Sequence, residues 1–160
     1  MVEKNIVKEH ARIIFRNFTG AAGEFNPAGR RNFCVCFTKE EGDTYEAEGW
    51  NIKWLQPRDE DEEPQAYLQV DVKFNNYPPK IVLITSRGKT QLEESSVNIL
   101  DWAEIENVDV IIRPYNWSIN KKAGVKAYLK AIYVTLHEDE FESKYIDVPD
   151  SALNSMNYGD

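Results

Sequence analysis

From Ala66 to Phe74 the chain reads AYLQVDVKF, with Leu68, Val70, Val72 and Phe74 on one side of an alternation and Tyr67, Gln69, Asp71 and Lys73 on the other. A helix would scatter those apolar positions around its axis, whereas a strand sends successive side chains to opposite faces, so this stretch specifies a half-buried strand. Strand patterning recurs in ARIIFRNF (11–18), RNFCVCF (31–37), NIKWL (51–55), KIVLITSRG (80–88), VDVIIRPYNWSI (108–119) and GVKAYLKAIYVTL (124–136). The last two runs are close enough in sequence to pair as a hairpin. Helical spacing is confined to TKEEGDTYEAEG, which Gly49 would end, and to Val97, Leu100 and Ile105 within 91–106. The segment 19–30, with its Gly and Pro, reads as a long turn-forming loop.

Short strands, a late helix and a closing hairpin predict a mainly β fold, an OB-like Greek-key barrel with one or two short helices and an acidic insertion over 38–65. With 160 residues, a single domain over 1–149 and a flexible tail over 150–160 are expected. Phe15, Phe33, Phe37 and Phe74 share parity with aliphatic neighbours and are expected inside, and Trp50, Trp54 and Trp102 are assigned to the core.

The formal net charge is −8, yet it is unevenly spread. Residues 1–39 hold seven Lys/Arg against three Asp/Glu and residues 64–135 hold nine against seven, while 40–63 hold two against ten and 136–160 one against seven. A polyanion responds to the local field, which decays over about 10 Å at ordinary salt, so a basic face can coexist with acidic segments. Cys34 and Cys36, one residue apart in a strand, read as reduced core thiols, with no second pair to complete a zinc site. MVEKNIVKEH carries charges where an export signal needs an apolar centre, and a soluble cytoplasmic protein is expected.

Enzymatic chemistry finds few parts. The two histidines, His10 and His137, stand near opposite ends, and SRGKT (86–90) lacks the first glycine of a P-loop. Asp71, Glu93, Asp101 and Glu104 could build a two-metal nuclease, but their spacing does not require one. No enzyme activity, cofactor or metal is expected.

The functional signal lies in RPYNWSINKKAGVKAYLK, residues 113–130. By alternation Arg113, Tyr115 and Trp117 share one side of the first run, and Lys126, Tyr128 and Lys130 share one side of the second. Cations track phosphates and aromatic faces stack on unpaired bases, so the hairpin has the chemistry of a single-strand platform. Lys121 and Lys122 at its tip, Arg30 and Arg31 after the 19–30 loop, and Arg87 in the SRGKT turn would add phosphate contacts. The competing account is an ordinary solvated sheet, with Arg30 and Arg31 paired to the acidic 40–48 segment.

The pieces IIFRNF, FNPAGRRNFCV, GWNIKWL, PPKIVLITSRGKT, LDWAEIENVDVIIRPYNW and GVKAYLKAIYV resemble the phage-type single-stranded-DNA-binding proteins of bacteriophages and prophages. The similarity spans roughly residues 11–150, and the segment from Gly124 to Val134 is similar to the glycine-led closing strand of that family's OB fold. The resemblance implies a protein that coats single-stranded DNA in phage replication or recombination, working in the host cytoplasm. It also implies an acidic C-terminal extension that recruits replication or recombination proteins or occludes the groove. Here the chain ends Tyr158-Gly159-Asp160, without the terminal phenylalanine of the bacterial tails, and a homodimer is one oligomeric state to test. An acidic interaction protein that mimics DNA is the alternative. Such a mimic would spread acid over its surface, whereas this chain gathers cations and aromatics on one hairpin.

Overall fold

In the computed structural model, residues 1–138 are described; expectations for the 150–160 tail and for the acid from Asp139 onward lie outside them. The strands are β1 (Ile6–Lys8), β2 (Ile13–Asn17), β3 (Arg31–Phe37), β4 (Lys53–Leu55), β5 (Gln65–Val72), β6 (Lys80–Thr85), β7 (Gly88–Leu92), β8 (Ile105–Ile119) and β9 (Lys122–Leu136). One helix, α1 (Lys39–Glu48), follows β3, and a short 3-10 turn spans Val97–Asp101.

The strands form one curled sheet in the order β1-β8-β9-β5-β3-β2, with β4 on β5, and β6 pairing both β7 and β9. Pairing is antiparallel except where β9 meets β5 and β6. The ladder does not close as one hydrogen-bonded cylinder. Its two ends, β1 and β2, are nevertheless consecutive in the chain, and between them Ala11 N donates to Val108 O at 2.7 Å while Arg12 O accepts from Cys36 N at 2.9 Å. The connecting residues thus touch both ends of the sheet and hold its curl, giving the mainly β, OB-like architecture that the alternation predicts.

Inside the curl, Phe18, Phe33, Val35, Val70, Ile81, Val97, Leu100, Ile112, Ile132 and Val134 are fully buried. Phe18 and Phe33 stack at 4.9 Å, so two of the largest core side chains pack on each other. Cys34 and Cys36 are free and buried, and burial, followed by the neighbouring Cys36, pushes the Cys34 thiol up to about 11. They are inert members of the strand.

The β8–β9 hairpin turns through Asn120 and Lys121, both at positive φ, as a two-residue hairpin loop requires. The turn is therefore tighter than the gap between the runs 108–119 and 124–136 suggests, and Lys122 and Gly124 lie within β9. Further along, Ile111 pairs with Ala131 but Ile112 pairs with Leu129, leaving Lys130 as the extra residue of a bulge. The bulge switches phase: Leu129 and Ala127 face the core before it, Ile132 and Val134 after it.

Several expectations are corrected. Trp102 is 71% exposed rather than core, because the helical spacing over 91–106 yields only the 3-10 turn and leaves the indole beyond its end. Phe15 is 61% exposed at φ 52°, since an irregularity between Ile14 and Asn17 turns it off the inward phase. Strands β1 and β7 were not marked by the alternation: β1 is too short, and GKTQL in β7 is exposed except for Leu92.

Helix α1 is set by its caps. Thr38 Oγ1 accepts from Glu41 N at 3.1 Å, the Glu41 carboxylate accepts from Thr38 N at 2.9 Å, and Gly49 closes the helix at φ 114°. Lys8 Nζ donates to both Glu41 oxygens at 2.8 and 2.9 Å, tying β1 to the helix start. Burial pushes the Glu41 carboxyl up, but the Lys8 and Thr38 contacts together outweigh it and hold the group below the usual range. A depressed folded-state pKa stabilises above the unfolded value and loses that contribution as pH falls through the folded one. Lys8→Ala is therefore expected to cost roughly 0.5–1 kcal/mol in urea unfolding at neutral pH and nothing at about pH 2. Thr38→Ala should cost about 1 kcal/mol at neutral pH through its lost cap.

Candidate nucleic-acid interface

Cross-strand register decides which side chains meet on the hairpin. Arg113 lies opposite Tyr128, Tyr115 opposite Lys126, and Trp117 opposite Gly124, so these six residues occupy one face. Gly124 is what lets the indole lie flat, because a Cβ there would stand 2.7 Å from Trp117 Cζ2 and 2.8 Å from Cε2. The glycine is a seat for Trp117 rather than a turn residue.

Beside that seat a cation–aromatic ladder runs across to β5. Tyr115 stacks on Tyr128 with centroids 5.3 Å apart, the Arg113 guanidinium sits 4.9 Å from the Tyr128 ring and 5.7 Å from the Tyr77 ring, and Lys73 Nζ is 5.2 Å from Tyr128. Tyr128 is only 8% exposed, so it carries the ladder from beneath while Tyr115 and Tyr77 stay open to solvent. Lys73 follows from the strand alternation, but Tyr77 stands in a loop after β5 and carries no periodic signal.

The seat opens on a groove of about 510 Å3 lined by Arg30, Trp50, Gln69, Asp71, Trp117, Gly124 and Lys126, among others. A second depression of about 360 Å3 shares Arg30, Asp71 and Lys126 with it and adds Gly29, Arg31 and Lys73. Together they make one trough between the 19–30 loop, the outer face of β5 and the start of β9. Trp50 is buried as expected, but it also lines the wall of this trough; its Nε1 is closed over without a partner among the described residues, and so out of reach of a ligand unless the wall shifts.

The 19–30 loop is held by its own asparagines. Asn26 Nδ2 donates to Ala21 O at 2.9 Å and to Arg30 O at 3.0 Å, Asn32 Nδ2 donates to Asn26 Oδ1 at 2.8 Å, and Gly29 N donates to Gly20 O at 2.8 Å. That brace sets Arg30 at the trough's edge, while Phe25 stands 89% exposed near the loop tip. Arg30 Nη2 donates to Asp71 Oδ1 at 3.2 Å and Oδ2 at 3.4 Å, and Arg31 Nη1 donates to Glu94 at 3.1 Å while its guanidinium lies 5.8 Å from Phe74. Neither arginine pairs with the 40–48 acid, among whose described members Glu41 meets Lys8, Asp43 meets Lys39, and Glu46 accepts from Trp54 Nε1.

The remaining sequence candidates fall elsewhere. Lys121 and Lys122 extend the arm at the hairpin tip, and Lys130 is exposed at the bulge. Arg87 sits in the β6–β7 turn, where Ser86 N donates to Glu138 at 3.0 Å; that bond, with Arg87 nearby, holds the Glu138 carboxyl below its usual range. The nuclease set is not assembled: Asp71 is engaged by Arg30, and Asp101 accepts from Phe18 N, Thr19 N and Thr19 Oγ1 at 2.7, 2.9 and 2.6 Å. Among the described residues no group of three or more His, Cys, Asp or Glu could hold a metal ion, and no helix is long and apolar enough to cross a membrane.

Comparison with known proteins gives three findings. A family model described as "Putative phage ssDNA-binding domain" matches residues 1–157. No curated protein matches the sequence. Among solved structures, the fold is similar to the single-stranded DNA-binding protein from bacteriophage Enc34 in complex with ssDNA, at TM-score 0.56 and 12% identity over 86% of this chain and 89% of that one. A further structure of the single-stranded DNA-binding protein from bacteriophage Enc34 gives TM-score 0.55 at 12% identity over 92% and 89% of the two chains.

Proposed function

The chain belongs to the family of phage single-stranded-DNA-binding domains, and from that premise we propose that it binds single-stranded DNA in the trough between the 19–30 loop, β5 and β9. The observation that carries this reading is the trough's lining, which sets the Trp117 indole on Gly124 beside Arg30, Lys73 and Lys126. An unpaired base can stack on an indole whatever its identity, and the flanking cations meet the phosphates, so affinity needs no sequence readout. Tyr115 and Tyr77, braced by Arg113 and Tyr128, extend the stacking surface, and Phe25 offers a further aromatic face beyond the loop edge. Arg31 adds a charge in the second depression of the trough, and Arg87, Lys121, Lys122 and Lys130 are more distant charges that draw the strand in.

The bound form solved for the phage Enc34 protein of like fold supports this use of the architecture. Phage replication or recombination in the host cytoplasm is the setting, with binding rather than catalysis as the activity. A domain over 1–149 followed by a flexible tail over 150–160, contacts with replication or recombination proteins through the acidic C-terminal region, and a homodimer belong to the same proposal.

Phosphate contact leaves a signature in salt dependence. Lys126→Ala is expected to lower the slope of log K against log salt for oligo-dT by about 0.7, one single-strand phosphate unit, with the fold unchanged. Titrations at three or more ionic strengths measure it, and an unaltered slope would place Lys126 outside the DNA path.

A further inference from the structure

We infer that Asp71 is a positioning residue for DNA binding: a buried carboxylate that holds Arg30 so that its remaining guanidinium donors face the bound phosphate. The inference rests on the trough being the single-strand site and assigns a task to the one acid that lines it among the described residues. Simple electrostatics gives Asp71 the opposite role, since an anion in a cationic trough repels DNA.

The geometry favours positioning. The Asp71 side chain is 7% exposed and that of Arg30 40% exposed, so the acid lies behind the cation as seen from solvent. Only Nη2 of Arg30 reaches Asp71, at 3.2 and 3.4 Å, leaving Nη1 and Nε without an acceptor among the described residues. The backbone of Arg30 is fixed as well, its N–H donating to Pro27 O at 3.2 Å and its carbonyl accepting from Asn26 and Asn32. A guanidinium pinned at one nitrogen keeps a planar set of donors aimed outward, which is what bidentate phosphate recognition needs, and it loses little side-chain entropy on binding. Asp71 is itself placed by the sheet, opposite Asn32 in β3 and beside Tyr128 in β9. Because the pair is close to neutral, Arg30 contributes oriented hydrogen bonds more than counterion release.

The test is a double-mutant cycle on the full chain, with oligo-dT affinity read at low and moderate salt and thermal midpoints recorded. Asp71→Asn is expected to weaken binding about tenfold at moderate salt although it removes a negative charge, and to steepen the salt slope by about 0.7 as Arg30 becomes an uncompensated cation. In an Arg30→Ala background the sign reverses, and Asp71→Asn tightens binding by deleting a carboxylate that has nothing left to hold. A merely structural Asp71 would weaken binding in both backgrounds, and a merely repulsive one would tighten it in both; either result overturns the inference. Should Asp71→Asn not fold, Arg30→Lys decides: it keeps the charge but not the planar donors, so it should bind almost as weakly as Arg30→Ala, and parental affinity would overturn the inference. If the parent protein itself fails to bind oligo-dT, the proposed function falls first, and the cycle makes that visible.

Discussion

Replacing Tyr128 with alanine should lower the unfolding free energy by about 3–5 kcal/mol, the cost of emptying a buried aromatic site. Tyr128 is 8% exposed, with Tyr115 stacked at 5.3 Å and the charges of Arg113 and Lys73 within 4.9 and 5.2 Å of its ring. Part of the loss is transfer and cavity; the stacked pair adds roughly 0.5–1.5 kcal/mol and each cation contact roughly 0.5–1 kcal/mol. A domain of this size holds only about 5–15 kcal/mol in all, so the variant should stay folded near room temperature with a narrow margin. DNA affinity should fall too, because Arg113 and Tyr115 lose the ring that orders them. Tyr128→Phe keeps the ring and should cost under about 1 kcal/mol. Urea unfolding of both variants checks this; an alanine cost below that of phenylalanine would mean that the ladder supports nothing.

The second large effect joins Gly124 to Trp117. Gly124→Ala places a methyl group 2.7–2.9 Å from three indole atoms, Cζ2, Cε2 and Nε1, so the ring must leave its seat. Binding to single strands should then drop almost as far as in Trp117→Ala, by about 1–3 kcal/mol, the worth of one stacked base. The two substitutions act through one ring and cannot add. With Trp117 already replaced, Gly124→Ala should leave affinity unchanged and stabilise the strand by about 0.5–1 kcal/mol, the ordinary advantage of alanine over glycine. That reversal of sign separates a seat for the indole from a generic need for glycine. Additive losses in the double variant would remove the seat.

Where the residues themselves carry periodic information, the fold was legible before the structure. RNFCVCF gave β3 its bounds, the alternation over 66–74 gave β5, and Thr38 with Gly49 bracketed α1. Aromatic and cationic residues on the hairpin's outward parity marked Arg113, Tyr115, Trp117, Lys126 and Tyr128 for one face, and the register puts them there, with Tyr128 buried beneath its neighbours rather than open to solvent. What escaped was set by tertiary geometry. The Lys130 bulge is a one-residue phase slip inside a run that is apolar on both sides of it. Trp102 and Phe15 keep apolar spacing, yet a 3-10 turn and a strand irregularity turn them outward. Asp71 sits on the polar parity of β5 as the pattern says, but its burial depends on Arg30 arriving from a loop forty-one residues earlier. Tyr77 joins the site only because Arg113 reaches across to it. Sequence patterns mark faces; which loops close over a face is decided by the sheet's curl.

The central claim is that unpaired bases stack on Trp117 in the trough. The most direct measurement titrates intrinsic tryptophan fluorescence with oligo-dT and with an equal-length duplex, in the parent protein and in Trp117→Ala. The account predicts saturable quenching by the single strand, a much weaker response to the duplex whose bases are already stacked, and loss of most of the quench in the variant. Equal quenching by duplex and single strand, or an undiminished quench without Trp117, would contradict it.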